Sequence, residues 1–479
     1  MSIPLVADRG PAATEVRRWI AGAGAALGVL ATIVLSVGTP VAASGVVVLG
    51  FAVLWLLVDF QAAAIALIAG SVLVPNGVAL YLGPTLPLVT FQRVMLLLLV
   101  AAALAHAPGR YVSALLGAPR IRLVLAMTLV LAVATALSSE PAVSQREFLS
   151  ERGLGLPFYF AAVWLVLGDA DGVPRALRAF VAVGAVVLLL AAVEAVTGRS
   201  IVAELRLLPT VKLEALGYHA ELERRVGLPR VQSVFQHPLQ LGAYLVALIP
   251  LVAVLRRHAG AVWERGFYTV TLGLGLFALA FTWSRGAWAA LLLALLWLAR
   301  HGVRRWILFV VGGLAGAVVL WQLGLLQAQT VAYRGWLVSG VLQAMLVHSG
   351  LGTGPGTFTH AVTVLVGDTS QRTSVDPLAY SLTMAIEAGP IFVVLFWWFV
   401  LGCLRDAGRA RDHALAAGRR ETADVLNALR GGVLANLMLS LFSSSLFGMT
   451  TGFFISLMLL AAIERCAGFE LEHAPSAAS

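Results

Sequence analysis

Charge is what this chain has least of. Of its 479 residues, 12% are Asp, Glu, Lys or Arg and 60% are hydrophobic, with a mean hydropathy of +0.91. A water-soluble domain carries about 25% charged residues, so a globular enzyme with an ordinary hydrated surface is excluded. Lysine is almost missing: Lys212 is the only one among 33 basic residues. The net charge is still +9 and the pI near 10.2. The arginines are dispersed between apolar runs and form no stripe on one face, so no nucleic-acid partner is expected. Cysteine is limited to Cys403 and Cys466, both at expected cytoplasmic helix ends, which gives no basis for a disulfide framework or a thiolate metal site. His-Glu-x-x-His, Gly-Lys-Ser/Thr and Gly-x-Ser-x-Gly motifs are also absent. No metal and no cofactor are expected.

What the chain has instead is a series of apolar runs of about 20 residues, the length that crosses a bilayer as helix. Inside a bilayer the backbone must satisfy its own hydrogen bonds, and the alternating segments of about ten residues that mark a β-barrel are missing. The fold class expected is therefore all-α, a polytopic membrane bundle of 12–14 transmembrane helices. The expected spans are 19–38, 41–58, 61–77, 87–106, 121–138, 155–168, 177–197, 234–255, 266–282, 286–300, 306–324, 381–403, 431–448 and 451–464. The lower number applies if the second and third, and the last two, are re-entrant or tilted. The apolar run after Arg9–Arg18 is too long for a signal peptide and reads as the first span. No internal repeat of the kind common in secondary transporters stands out.

Arginine bias in the short loops gives the orientation. With the N-terminus cytoplasmic, Arg9, Arg17, Arg18, Arg110, Arg120, Arg122, Arg175, Arg178, Arg256, Arg257, Arg265, Arg300, Arg304 and Arg305 all fall in cytoplasmic segments, and the short external loops hold few. Three regions follow: N-terminal helices over 1–197, a core over 198–405 with external loops 198–233 and 325–380, and a tail over 406–479 with a cytoplasmic segment and the last helices. The Arg- and Ala-rich segment 404–430 reads as a surface helix on anionic lipid.

Candidate chemistry collects at the external side. Arg285, in Thr282-Trp283-Ser284-Arg285-Gly286, sits between two apolar runs with almost no room for a loop. A charge at that depth faces protein, a water-filled cavity or, by snorkelling, the headgroups. Arg230 precedes Phe235-Gln236-His237-Pro238 at the start of a span, where a guanidinium can grip a phosphate with two hydrogen bonds or serve as one more loop arginine. His237 is a polar ligand-facing group or an interfacial cap. The segment Tyr333–Gly389 holds Arg334, a glycine run at 350, 352, 354 and 356, His360, Asp376, Tyr380 and Glu387. The glycines lack the strand and helix of a dinucleotide site, so they read as a tight turn for close backbone approach to a ligand or another helix. Glu387 falls inside the expected span 381–403, beside Gly389, where an unpaired carboxylate is costly and a partner such as Arg285 or Arg334 is expected.

These pieces, in this order, resemble the O-antigen ligase and O-antigen polymerase superfamily of bacterial membrane glycosyltransferases. The residues that carry the resemblance are Arg230 with Phe235-Gln236-His237-Pro238, Ser284-Arg285-Gly286-Ala287, Arg334-Gly335-Trp336, Gly352-Thr353-Gly354-Pro355-Gly356-Thr357-Phe358 and Glu387-Ala388-Gly389. The resemblance implies a C-type, inverting, metal-independent glycosyltransferase of the bacterial cytoplasmic membrane, with its active site facing outside. The donor it implies is an undecaprenyl-pyrophosphate-linked glycan and the acceptor a glycan or lipid-linked glycan. Membrane lipids and envelope polysaccharide assembly proteins are its expected partners. By the same resemblance Arg230, Arg285 and Arg334 bind the donor pyrophosphate, and His237, Tyr380 and Glu387 line the substrate pocket. Ligases typically place a His-Asn pair shortly before Glu-x-Gly; this chain has Leu378 there, after Asp376-Pro377. The base is therefore Asp376 or His360, or the departing pyrophosphate carries the reaction alone. That departure fits a polysaccharide polymerase at least as well as a ligase. The alternative from another class is a transporter or flippase for an anionic lipid-linked substrate.

Overall fold

The computed structural model describes residues 59–75, 79–80, 89–150, 153–168, 171–204, 221–225, 227–299, 351–358, 380–442 and 450–472, together with Leu56 and residues 342–343. The expected spans 19–38 and 306–324, and all of 41–58 but Leu56, lie outside the described residues. About 81% of the structure is helical. Among the described residues the strands are two antiparallel pairs of two-residue pieces, β1 (Ala79–Leu80) with β2 (Val89–Thr90) and β3 (Arg224–Arg225) with β4 (Leu228–Pro229), so this part of the chain is all-α.

The helices begin and end where local chemistry dictates. Helix α1 (Phe60–Gly70) is capped by Asp59, whose carboxylate accepts from Ala62 N at 3.1 Å, and a 3-10 turn, Ser71–Leu73, extends it. Thr90 caps α2 (Phe91–His106) in the same way. Pro108 opens α3 (Pro108–Gly117), which turns 117° from α2. Next come α4 (Ile121–Ala136), α5 (Pro141–Phe148), α6 (Gly155–Val166) and α7 (Gly172–Thr197), the last closed by Gly198 in the left-handed conformation. A short α8 (Ile201–Glu204) leads into the first long loop. Three helices follow, α9 (Pro238–His258), α10 (Val262–Phe281) and α11 (Arg285–Ala299). The C-terminal set is α12 (Tyr380–Glu387), α13 (Gly389–Ala416), α14 (Arg420–Phe442) and α15 (Thr450–Glu472).

Among the described residues, α7, α9 and α13 are long and apolar enough to cross a membrane, and α2 with α3 makes a fourth if the bent pair is one span. The burial of these helices differs in a way that locates the core. In α9, 78% of the apolar window is buried by protein, against 39% in α7. Thus α9 is the central helix, packed against α10, α11 and α14, while α7 turns apolar side chains such as Leu189 and Val193 outward. An apolar outer surface of this kind suits lipid rather than water, and the chain reads as a helical membrane protein.

Two expectations about the C-terminal part are corrected. The run 381–403 is not one helix: it breaks at Ala388–Gly389, with Gly389 at φ 81°, into α12 and α13. The segment 404–430 is not a separate surface helix. It is the end of α13, a turn at 417–419, and the start of α14. The charges that suggested a surface helix are partly consumed inside the bundle: Arg120 pairs with Asp406 and, at 2.8 Å, with the buried Glu464. Cys403 is free and buried and Cys466 is free.

The two ends of the bundle are fixed by cross-helix bonds. At one end, Asn436 Nδ2 donates to Ala243 O at 3.2 Å and the Ser381 and Ser440 hydroxyls meet at 2.9 Å. This sets the start of α9, the start of α12 and the end of α14 at one level. At the other end, His258 reaches Asp424 at 3.0 Å.

Candidate functional site

The first of these ends holds Arg230. A small hairpin, β3–β4 with Gly227 at φ 78°, folds the chain back so that Arg230 N donates to Glu223 O at 2.7 Å. The guanidinium is buried, at 3% exposure. Its Nε donates to Thr282 O at 3.1 Å and its Nη1 pairs with the Glu223 carboxylate. Thr282 ends α10, and Val231 N also bonds Phe281 O at 3.1 Å, so one side-chain and one backbone hydrogen bond join the Arg230 segment to the α10–α11 corner.

That corner presents Arg285. The chain reverses through Trp283, at φ 52°, and Ser284 starts α11, its hydroxyl accepting from Ala287 N at 3.3 Å. Arg285 is the first residue of α11. The corner sits close to α9 because residue 242 is glycine. A Cβ there would lie 2.8 Å from Ala287 Cβ and 3.3 Å from Ser284 Cβ. Trp288 Nε1 ties α11 back to Leu279 O at 2.8 Å. Arg230, bonded to Thr282 O, thus stands at the same helix corner that carries Arg285 three residues further on, although the two are 55 positions apart in the sequence.

Electrostatics follow from this placement. Burial pulls the Arg230 pKa down, Glu223 opposes this, and Arg225 and Arg285 add to it. The net direction is below the ordinary value. Burial alone would raise the Glu223 carboxyl, but Arg230 and Arg225 outweigh it and hold it below the usual range.

Glu194 is a residue the sequence reading passed over. It lies near the end of α7, fully buried, and its carboxylate accepts from Ile201 N at 3.1 Å, Gln232 N at 2.9 Å and Ser233 N at 2.6 Å. Ser233, at φ 54°, also donates its hydroxyl to Val187 O. Glu194 therefore anchors the loop immediately after Arg230. Its signal in the sequence was a carboxylate inside an apolar run, which at such depth always needs partners.

His237 is the cap of α9, its Nδ1 accepting from Leu239 N at 3.1 Å, which assigns the ring proton to Nε2. Burial first, and then the charge of Arg230, lower its pKa from 6.5 to about 4. The folded imidazole stays neutral down to about pH 4, whereas the unfolded chain takes up its proton near 6.5. A proton bound only by the unfolded chain favours unfolding, so this contribution is complete above pH 6.5 and is lost as pH falls towards 4. Thermal melts of purified protein across this window are expected to show that loss. The His237→Asn variant, which keeps an accepting cap, is expected to show a flatter profile, and an unchanged slope would sink the assignment.

The glycine run, Gly352–Phe358, is fastened to protein on two sides. Thr353 N and Gly354 N donate to Ile386 O and Glu387 O at 2.8 and 2.9 Å, and Phe358 N donates to the Glu387 carboxylate at 3.1 Å. From the other side, Ser138 Oγ donates to Thr353 O at 2.9 Å and Ser144 Oγ to Pro355 O at 3.1 Å. Of the two roles open to the glycines, approach to other helices is the one seen. Glu387 serves this loop and the α12–α13 break. Tyr380 is buried edge-on against Phe396, with ring centroids 5.3 Å apart, as a packing residue at the start of α12. Arg334, His360 and Asp376 lie outside the described residues.

The chain matches no family model and no curated protein.

Proposed function

We propose that this chain is a membrane glycosyltransferase that transfers or polymerises an undecaprenyl-pyrophosphate-linked oligosaccharide at the outer face of the bacterial cytoplasmic membrane. The observation that carries the proposal is the convergence of buried Arg230 with Arg285, from separate helix ends, at one end of an apolar bundle. A buried and a part-buried guanidinium suit a leaving pyrophosphate, whose charge grows as the glycosidic C–O bond breaks. The acceptor hydroxyl oxygen forms the new bond to the anomeric carbon with inversion. Its proton passes to Asp376 or His360, or leaves with the pyrophosphate. Arg334 adds to the donor grip, and His237, Tyr380 and Glu387 shape the pocket wall. The motif resemblance, the Arg bias of the loops and an apolar helical bundle with three or four membrane-length helices among the described residues support the same assignment.

The test is transfer by the purified chain in proteoliposomes supplied with undecaprenyl-pyrophosphate oligosaccharide. The expected products are elongated or transferred glycan together with free undecaprenyl pyrophosphate. Movement of intact donor across the bilayer with no new glycosidic bond would instead establish the flippase alternative and end the enzyme reading.

Glu223 occupies the guanidinium that the donor needs. Its side chain is about half exposed, 52%, so it can swing out to water while donor phosphate takes its place on the buried guanidinium. Glu223→Gln is expected to lower the donor KM by about two- to fivefold with kcat nearly unchanged. A raised KM would mean that Glu223 assists donor binding rather than competing with it.

A further inference from the structure

The opposite end of the bundle carries a cavity of about 850 Å³ between α3, α6, α15 and the start of α14. Arg110, Arg419 and Arg465 line it, with Glu470 as the one carboxylate among the described lining residues. Each guanidinium is placed differently. Arg465 lies flat on Trp164, 3.9 Å from the ring centroid, and its Nε and Nη2 both donate to Trp164 O at 2.9 and 2.8 Å. Arg419 pairs with Glu470 through Nη2, while its Nε is buried with no hydrogen-bond partner among the described residues. Arg110 is exposed and makes no ion pair among the described residues. Three positive groups against one negative leave a net charge of about +2, and one buried donor is unsatisfied. Volume and lining fit a small-molecule site.

We propose that this cavity binds the phosphodiester headgroup of an anionic phospholipid. The chemistry asks for an anion with several acceptor oxygens, and a guanidinium set in a partly apolar wall is suited to phosphate. A lipid is favoured over a soluble phosphate by the cavity wall itself. Helix α3 crosses at 117° to α2 and, beside Arg110, leaves Val112 and Leu116 exposed one turn apart. Phe469, on the cavity lining, is also exposed. A short helix with exposed apolar residues beside a cation lies in the interface plane, where a headgroup is presented to it. The site is at the other end of the bundle from Arg230 and Arg285 and does not depend on the proposed transfer reaction.

The test uses the full chain in nanodiscs of phosphatidylcholine with or without phosphatidylglycerol, read by native mass spectrometry and by thermal melting. Phosphatidylglycerol is expected to be retained and to raise the melting temperature, whereas inorganic phosphate added to phosphatidylcholine discs does neither. Arg110→Gln is expected to weaken phosphatidylglycerol retention about fivefold, to melt like the parent in phosphatidylcholine, and to be restored by Arg110→Lys. Equal retention of both lipids, or full retention in Arg110→Gln, overturns the proposal. So does inorganic phosphate that stabilises as well as phosphatidylglycerol, because the occupant is then soluble.

Discussion

Arg285→Ala is expected to lower glycan transfer about 10²- to 10³-fold, mostly in kcat, which is the cost of removing one preorganised charge donor from a developing anion. The reason lies in where Arg285 stands. It is the first residue of α11, so it joins its own guanidinium to the positive end of a helix dipole. Its backbone is set by the left-handed Trp283, the Ser284 cap and the close contact at Gly242. Little reorganisation is needed when the leaving group charges up. Arg285→Lys keeps the charge but loses the planar fork, and is expected to recover only part of the rate. Arg230→Ala should match Arg285→Ala in activity but also melt lower, because the buried Arg230 guanidinium donates to Thr282 O. Measuring rate and melting temperature on the same preparations separates the two. Wild-type rates in well-folded Arg285→Ala protein would refute the enzyme reading.

The sequence made the helix positions legible because hydropathy is a local property. Helices at 91–106, 121–136, 172–197, 238–258 and 262–281 fall on expected spans within a few residues. Arg230 and Arg285 were legible as candidates because a charge beside an apolar run is rare. Their mutual proximity was not legible, since it depends on α9 and α11 closing at Gly242. Charge density misled at 404–430. Arg and Asp residues there read as an exposed helix, but Asp406 and Glu464 meet Arg120 across some 286 and 344 positions of chain. Ser138 and Ser144 were invisible for the same reason: each acts on backbone far away in sequence, and no local pattern marks that.

The glycine run shows what such long-range bonds cost when a side chain intrudes, and Gly354→Ala is the second large effect expected. Gly354 sits at φ 106°, outside what an L side chain adopts easily, and a Cβ there would lie 2.2 Å from Ser138 Oγ and 2.3 Å from Ser144 Oγ. The backbone strain alone is worth about 1–3 kcal/mol. Relieving the contact means moving both hydroxyls and giving up their bonds to Thr353 O and Pro355 O, at about 1 kcal/mol each. A loss of about 3–5 kcal/mol follows, seen as a lower melting temperature or poor recovery from the membrane. Gly356 is the control. Its φ is 79° and a Cβ would meet Glu147 Cγ at 2.7 Å, part of a flexible side chain that can turn away. Gly356→Ala is therefore expected to cost clearly less. The reverse order would mean that the run is not clasped by Ser138 and Ser144. With the expected order, loss of the clasp frees the α12–α13 break that Glu387 holds, so surviving Gly354→Ala protein should also transfer glycan more slowly than its folded fraction accounts for.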